Sequence, residues 1–280
     1  LDALRDAGLQ KNTIVIYNSD HGGVLPRSKR FLLDSGIHCP LVIRIPPAFQ
    51  SLYPSDNPGD TVGRIVSFID LPKTWLSLAD AAIPDVMQGR IFLGPHQEPS
   101  RAFAVAYRDR MDERYDAARA IRDERYLYIR HMMPYVPRGQ YLAYLWRAPA
   151  AEAWQAHHRE GKTNAITGRF FRPKPTEELY DTWHDPHSIH NLAEEPKYQK
   201  ILAAMRDDLR QWQLQHFDAG LLPESEMVYR AARNQMTIYE MIRNPQLYPL
   251  ERLLDACDLA LQREADVDLD QLIALLGDTD

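Results

Sequence analysis

Two hydrophobic periods succeed one another along the first hundred residues. Leu1-Asp2-Ala3-Leu4 opens an amphipathic helical pattern that runs to about residue 10, where Gly8 loosens the last turn. Ile14-Val15-Ile16-Tyr17 is a short apolar, β-branched run and reads as a buried strand. It ends at Ser19-Asp20-His21-Gly22-Gly23, where two glycines permit a sharp turn. Residues 40–45 read as a second buried strand. Residues 46–62, with four prolines, form a loop, and residues 65–79 return to helical spacing with Pro72 near the helix start. Helix, strand and helix in succession predict a parallel α/β sheet.

Near residue 100 the pattern changes. Phe103 to Tyr107 is strand-like. Ala117 to Ile121 and Tyr126 to Ile129 form a hairpin about Arg122-Asp123-Glu124-Arg125, so the sheet here is expected to be antiparallel. Between the first two of these runs, Arg108-Asp109-Arg110-Met111-Asp112-Glu113 reads as a charged loop. Residues 134–175, rich in Pro, Gly and aromatics, read as a long excursion in which His157-His158 face solvent and Tyr135, Tyr141, Tyr144 and Trp146 pack. Glu178-Leu179-Tyr180 starts another strand. Residues 196–217 form a helix with Ile201, Met205, Leu209 and Trp212 on one stripe, and a helical tail follows. The expected organisation is residues 1–95 in a large α/β domain, 96–217 in a smaller antiparallel α+β subdomain and 218–280 in a helical extension. The helical patterns at Leu1 and at Leu269–Asp280 are incomplete, so a fragment cut at both ends is expected.

Composition narrows the function classes. The 280 residues are 45% hydrophobic and 26% charged, and 33 Lys and Arg against 39 Asp and Glu give a net charge of −6. Nothing basic points to nucleic acid as a partner. No apolar run reaches the 18 or so residues of a membrane span. Cys39 and Cys257 are too few for a disulfide scaffold.

The sharpest candidate chemistry is Asp20-His21. A carboxylate beside an imidazole at a strand end supplies two ligands to a divalent cation, and further ligands would have to come from elsewhere. Arg27, Lys29 and Arg30 put three cations into four residues just beyond, a pattern suited to anions. A strand-end turn with a solvated basic loop is the plainer reading of the same residues. His184, His187 and His190 are spaced like zinc ligands, but Asp185-Pro186 breaks any helix that would align them, so a turn is expected.

Several segments, in order, resemble the sulfatases of the alkaline-phosphatase superfamily. Asn12 to Gly23 is similar to the family's second conserved block, and Lys29-Arg30 with Asp34-x-Gly36-Ile37-x-x-Pro40 to its lysine segment. Asp70-Leu71-Pro72-Lys73-Thr74 resembles its "DLxPT" helix, and Pro84-x-x-Met87-Gln88-Gly89-Arg90 the segment that closes the large domain. Glu178-Leu179-Tyr180-Asp181, Asp185-Pro186 and Asn191-Leu192-Ala193 resemble its late "ELYDL…DP…NLA" block. The spacing from Asp20 to Lys29 looks most like the heparan N-sulfatase (sulfamidase-like) branch. Leu272 to Asp280 looks like the opening of a HEAT-type repeat.

The resemblance implies an alkaline-phosphatase-like α/β fold and hydrolysis of a sulfate ester or N-sulfate, on a sulfated saccharide or another sulfate ester. By similarity Asp20 and His21 are metal ligands for calcium, and Lys29 contacts a sulfate oxygen. Arg27, Asp109 and Glu113 are candidate substrate-binding residues. The family's nucleophile is formylglycine, made from the Cys of Cys-x-Pro-Ser-Arg. Neither Cys39-Pro40-Leu41 nor Cys257-Asp258-Leu259 fits, and Gln97-Glu98-Pro99-Ser100-Arg101 has Gln where the Cys belongs. The chain by itself is therefore expected to be inactive. Family members are often exported, to the periplasm or beyond. A phosphodiesterase or phosphonate hydrolase of the same superfamily, and a non-catalytic sulfatase-like module, remain alternatives.

Overall fold

The computed structural model describes residues 1–261 and 273–274. The first helix, α1 (Asp2–Asp6), gives way at Gly8 to a single 3-10 turn at Gln10–Asn12. Strand β1 (Val15–Asn18) pairs with β2 (Leu41–Arg44), with Val15 opposite Arg44 and Asn18 opposite Leu41. This pair is antiparallel, not parallel as the element order predicts. The connection between the strands contains only α2 (Asp34–Ile37), four residues long, so the chain doubles back instead of making the long helical crossover that a parallel pair requires. Nor are the strands fully buried: Tyr17 is 64% and Val42 59% exposed. Helix α3 (Asp70–Leu78) follows the proline-rich loop and starts later than the periodicity suggests.

The second sheet is antiparallel, in the order β3 (Ala104–Met111), β4 (Arg114–Arg122), β5 (Tyr126–His131) and β6 (Glu177–Asp181). The hairpin read at residues 117–129 is present in register, Ala120 facing Ile129 and Ile121 facing Tyr128. The charged stretch 108–113 is not a loop. β3 runs to Met111 and β4 begins at Arg114, so only Asp112 and Glu113 turn, with Asp112 at φ +51°. Its charges find protein partners in place of water: Asp109 meets Arg119 on the neighbouring strand, and Arg108 lies 3.8 Å from Asp116.

β4 is buried without alternation, because both faces of the sheet are covered. On one face Ile121, Tyr128 and Leu179 pack against Leu202, Met205 and Leu209 of α5 (Gln199–His216), the stripe legible in the sequence. On the other, Ala120, Leu127, Ile129 and Tyr180 pack against Leu33 from the segment after β1. Arg122 fixes that contact, donating to Asp34 (3.1 Å) and to Thr182 (2.8 Å). The excursion at residues 134–175 contains α4 (Pro149–Arg159), which closes a cluster around Phe31, Leu142 and Phe170. There His158 does not face solvent: it stacks on Phe171 at 4.7 Å, while His157 is exposed. The tail helices α6 (Glu224–Arg233), α7 (Ile238–Met241) and α8 (Leu250–Ala260) form their own core about Met241, Tyr248 and Leu254. The repeat-like stretch 272–280 lies outside the described residues, Ile273 and Ala274 excepted. Among the described residues no helix is long and apolar enough to cross a membrane.

Strand β6 concentrates carboxylates held below their ordinary pKa. Burial raises that of Glu178, but the Arg138 charge and the His131 hydrogen bond (3.0 Å) outweigh it. At Glu177 the Arg206 and Tyr128 hydrogen bonds likewise overcome burial. The Arg125 hydrogen bond brings Asp181 down to about 2. Carboxylates with depressed folded pKa values stabilise the fold above their unfolded values near pH 4, and that stability is lost as pH falls toward the folded values. The urea midpoint should therefore fall progressively below about pH 5. A midpoint that stays flat from pH 7 to 3 would contradict this account.

Candidate active site

The segment 19–37 leaves β1 and folds back on itself through main-chain contacts. Ser19 N donates to Pro40 O at 3.4 Å, extending the strand ladder by one bond, and Ser19 Oγ donates to His21 O at 2.7 Å. Lys29 N donates to Gly23 O at 3.0 Å, which ties the basic stretch back to a point two residues past His21. Ser28 Oγ donates to Ser35 O (2.8 Å) and Ser35 Oγ to Arg27 O (2.7 Å), a reciprocal pair of serine clasps. The approach is so close that only glycine fits at two places. A Cβ on Gly22 would lie 2.1 Å from Ser35 O, and one on Gly36 2.2 Å from Phe31 O and 2.3 Å from Ser28 O. Gly36→Ala should cost about 1–3 kcal/mol by overpacking against main chain that cannot yield. The thermal midpoint measures this, and an unchanged midpoint would mean the loop is looser than described.

Asp20 is held at the rim, its side chain 84% exposed. His21 is half-buried. With its proton on Nδ1 the ring donates to Gly22 O at 2.5 Å, leaving the Nε2 lone pair 3.3 Å from Asp20 Oδ1. Two acceptors thus face one another, the arrangement a shared cation relieves, and a carbonyl on the second ring nitrogen is the usual support of a metal-bound imidazole. Among the described residues no third His, Cys, Asp or Glu joins them.

The three cations of the loop have separate fates. Arg27, at φ +71°, donates to His187 O (2.6 Å) and Ser188 O (3.1 Å). Arg30, at φ +80°, pairs with Asp112 (2.6 Å) and lies over the Tyr144 ring at 4.3 Å. Among the described residues Lys29 makes no ion pair or side-chain hydrogen bond, and its ammonium stands 5.1 Å from the centre of the Tyr144 ring. Tyr144 is thus part of this site, whereas the sequence reads it as packing. Nothing local could reveal it, since the contact joins residues more than a hundred positions apart.

The other expected site residues are engaged elsewhere. Asp109 bonds Arg119 at 2.9 Å, and burial keeps its carboxyl above the ordinary pKa despite that partner. Glu113 accepts from Ala143 N at 2.7 Å and anchors the excursion to the β3–β4 turn. Both cysteines are free thiols whose pKa burial raises, which disfavours the nucleophilic thiolate.

The remaining family-like segments hold the fold. Asp70 is fully buried and accepts from Ser67 N and Arg90 N, both at 2.8 Å, and from Arg101. Thr74 Oγ1 donates to Asp70 O (2.8 Å) and accepts from Phe92 N (3.1 Å). Glu98 and Arg101, in the stretch that echoes the nucleophile motif, clamp this helix through Lys73 and Asp70. Asn191 Oδ1 accepts from Leu179 N and Ala193 N, closing the turn after β6. His184 faces Asp181 in that turn, so the three histidines make no zinc cluster among the described residues.

Residues 1–81 match the family model described as Sulfatase. The chain is 38% identical over 231 residues to an ulvan-active sulfatase of Formosa agariphila, covering 81% of this chain and 37% of that protein. It is 25% identical over 237 residues to N-sulphoglucosamine sulphohydrolase of Homo sapiens, covering 78% of this chain and 45% of that protein. The chain therefore spans less than half the length of either relative. The fold matches that of a solved 2-O GAG sulfatase with a TM-score of 0.52 at 22% identity, over 78% of this chain and 39% of the other. With the family model on the segment that carries Asp20, His21 and Lys29, and sulfatase sequences matching across four-fifths of its length, the chain belongs to the sulfatase family.

Proposed function

We propose that this chain supplies one wall of a sulfatase active site that hydrolyses a sulfate ester or N-sulfate on a saccharide. The observation that carries the proposal is Lys29: an ammonium without a carboxylate partner among the described residues, on a segment that its own main chain ties to Gly23, two residues past the Asp20–His21 pair. Asp20 and His21 would hold a divalent cation, with calcium the family's choice, and such an ion would polarise a sulfate oxygen when bound. Lys29 would donate to another sulfate oxygen and stabilise the charge that grows on the sulfuryl group and leaving oxygen. Arg27, Asp109 and Glu113 support the wall: their polar atoms brace the loop, the sheet and the excursion. The nucleophile would come from outside these 280 residues, as formylglycine does in the family. The exposed faces of β1 and β2 offer a surface for such a neighbouring part. The name of the human relative points to an N-sulphated sugar, and export to the periplasm or beyond fits this reading.

The test is release of inorganic sulfate from sulfated saccharides by the full product of the reading frame that contains this chain, before and after chelation. We expect release that chelation abolishes. Cleavage of a phosphodiester or phosphonate in place of the sulfate would move the site to that branch of the superfamily. No turnover on either substrate class would make the chain part of a non-catalytic module.

A further inference from the structure

A cavity of about 160 Å³ lies where the 19–37 loop, the excursion and the turn after β6 meet. Three arginines reach its wall, Arg27, Arg138 and Arg169, and no carboxylate lines it among the described residues. Arg138 is neutralised by Glu178. Among the described residues the other two have no carboxylate partner: Arg27 donates to the carbonyls of His187 and Ser188, and Arg169 to that of Ile189, at 2.5 Å. In each case one guanidinium nitrogen is used, leaving further N–H donors without a protein acceptor. Like charges brought together in a partly enclosed site repel, and the arrangement persists at lower cost when an anion joins it. Burial lowers the pKa of Arg27, and the charges of Arg138 and Arg169 add to the fall, against the opposing influence of Tyr180 and Glu178. Ser188, also in the wall, is only 3% exposed, and its hydroxyl has no hydrogen-bond partner. Such an orphan is uncommon in a native interior. Trp154, stacked on Phe170 at 4.8 Å, gives the cavity an apolar side that keeps the local dielectric low.

We propose that this cavity is a binding site for a tetrahedral oxyanion, sulfate above all, held by Arg27, Arg169 and the Ser188 hydroxyl. Planar guanidinium forks match the edges of a sulfate or phosphate group, and a hydroxyl donor completes the set. The volume falls below the ~300 Å³ at which pockets begin to enclose drug-sized ligands, so the site takes one acidic group and not a sugar ring. The inference does not rest on hydrolysis: a chain without turnover would bind the ion equally well.

The test is calorimetric titration of the full protein with sodium sulfate, ionic strength being held constant with sodium chloride. We expect saturable binding at this site that Ser188→Ala and Arg169→Gln each weaken about tenfold or more, the worth of one charge-assisted hydrogen bond. Lys29→Ala should leave it unchanged. Ser188→Ala removes a hydroxyl without a partner, so the unfolding midpoint should hold and the variant stays informative even if Arg169→Gln fails to fold. Absence of saturable binding would overturn the proposal, as would binding that Lys29→Ala abolishes and Ser188→Ala leaves intact. Acetate binding as tightly as sulfate would overturn the tetrahedral preference. Glucose 6-sulfate binding more tightly than the inorganic ion would assign the site to sulfate carried on a saccharide, and the reverse to the free ion.

Discussion

In the full protein, Lys29→Ala should lower kcat by about 10²–10³-fold without moving the unfolding midpoint, the loss expected when one preorganised donor to a developing negative charge is removed. Both halves follow from the surroundings of the side chain. Among the described residues the ammonium has no carboxylate to relinquish, and its close partner is the face of Tyr144. Truncation therefore strands no buried charge. The main-chain bond from Lys29 N to Gly23 O survives the change, as do the clasps of Ser28 and Ser35, so the loop keeps its shape. Steady-state kinetics beside a thermal melt make the check. Lys29→Arg retains the charge and should recover part of the rate. If kcat is unchanged, Lys29 is outside the mechanism. If rate and midpoint fall together, its role is structural.

The largest effect on stability is expected at Arg119. Its side chain is 1% exposed and donates to Asp218 through Nε (2.7 Å) and Nη2 (2.8 Å), and to Asp109 through Nη1 (2.9 Å). Burial raises the pKa of Asp218, but the Arg119 hydrogen bonds and charge, with Gln213 and Gly220 N, bring it below the ordinary value. Tyr248 donates to the main-chain carbonyl of Asp218, so the same point ties α8 and its core to the sheet. A Cβ on Gly220 would fall 1.7 Å from Arg119 Nη2, so any larger residue here would have to push the paired guanidinium aside. Arg119→Ala leaves two carboxylates without their cation, one of them deeply buried, and should cost about 3–5 kcal/mol. Because Asp218 and Gly220 lead into the tail, the loss should appear first as exposure of the 218–260 helices to proteolysis or hydrogen exchange. The double variant Arg119→Met with Asp218→Leu should recover part of the loss, since it removes the deeply buried stranded carboxylate and leaves only Asp109, whose side chain is 29% exposed. A loss below 1 kcal/mol for Arg119→Ala would show that water reaches this pair.

The family could be read from the chain because its motifs are contiguous and ordered. Asp20-His21, Lys29 and the "ELYD" block each sit within a few residues, and their order survives without coordinates. What those motifs do was less accessible. Asp70, Thr74 and Asn191 spend their polar groups on main-chain partners up to twenty residues away, a structural use that a motif does not announce. Arg27, Lys29 and Arg30 look alike as three cations in a row. They differ only because His187, Tyr144 and Asp112 come to meet them from distant parts of the chain.

Local pattern determined the elements whose signal is contained in a few neighbouring residues. The hairpin at residues 117–129 and the short strands about Val15 and Leu41 follow from short apolar runs bounded by polar turns, and α5 from a stripe that recurs at helical spacing. Direction and depth were decided by the tertiary structure. The β1–β2 pair runs antiparallel because a short connection turns the chain back, and the middle strands of the second sheet lose their alternation because Leu33 covers the face opposite α5. The charged run at 108–113 became strand because Arg119 and Asp116 across the sheet compensate charges that water would otherwise have to solvate. Sequence fixes which residues can carry chemistry, and partners far along the chain decide which of them keep a free charge to use.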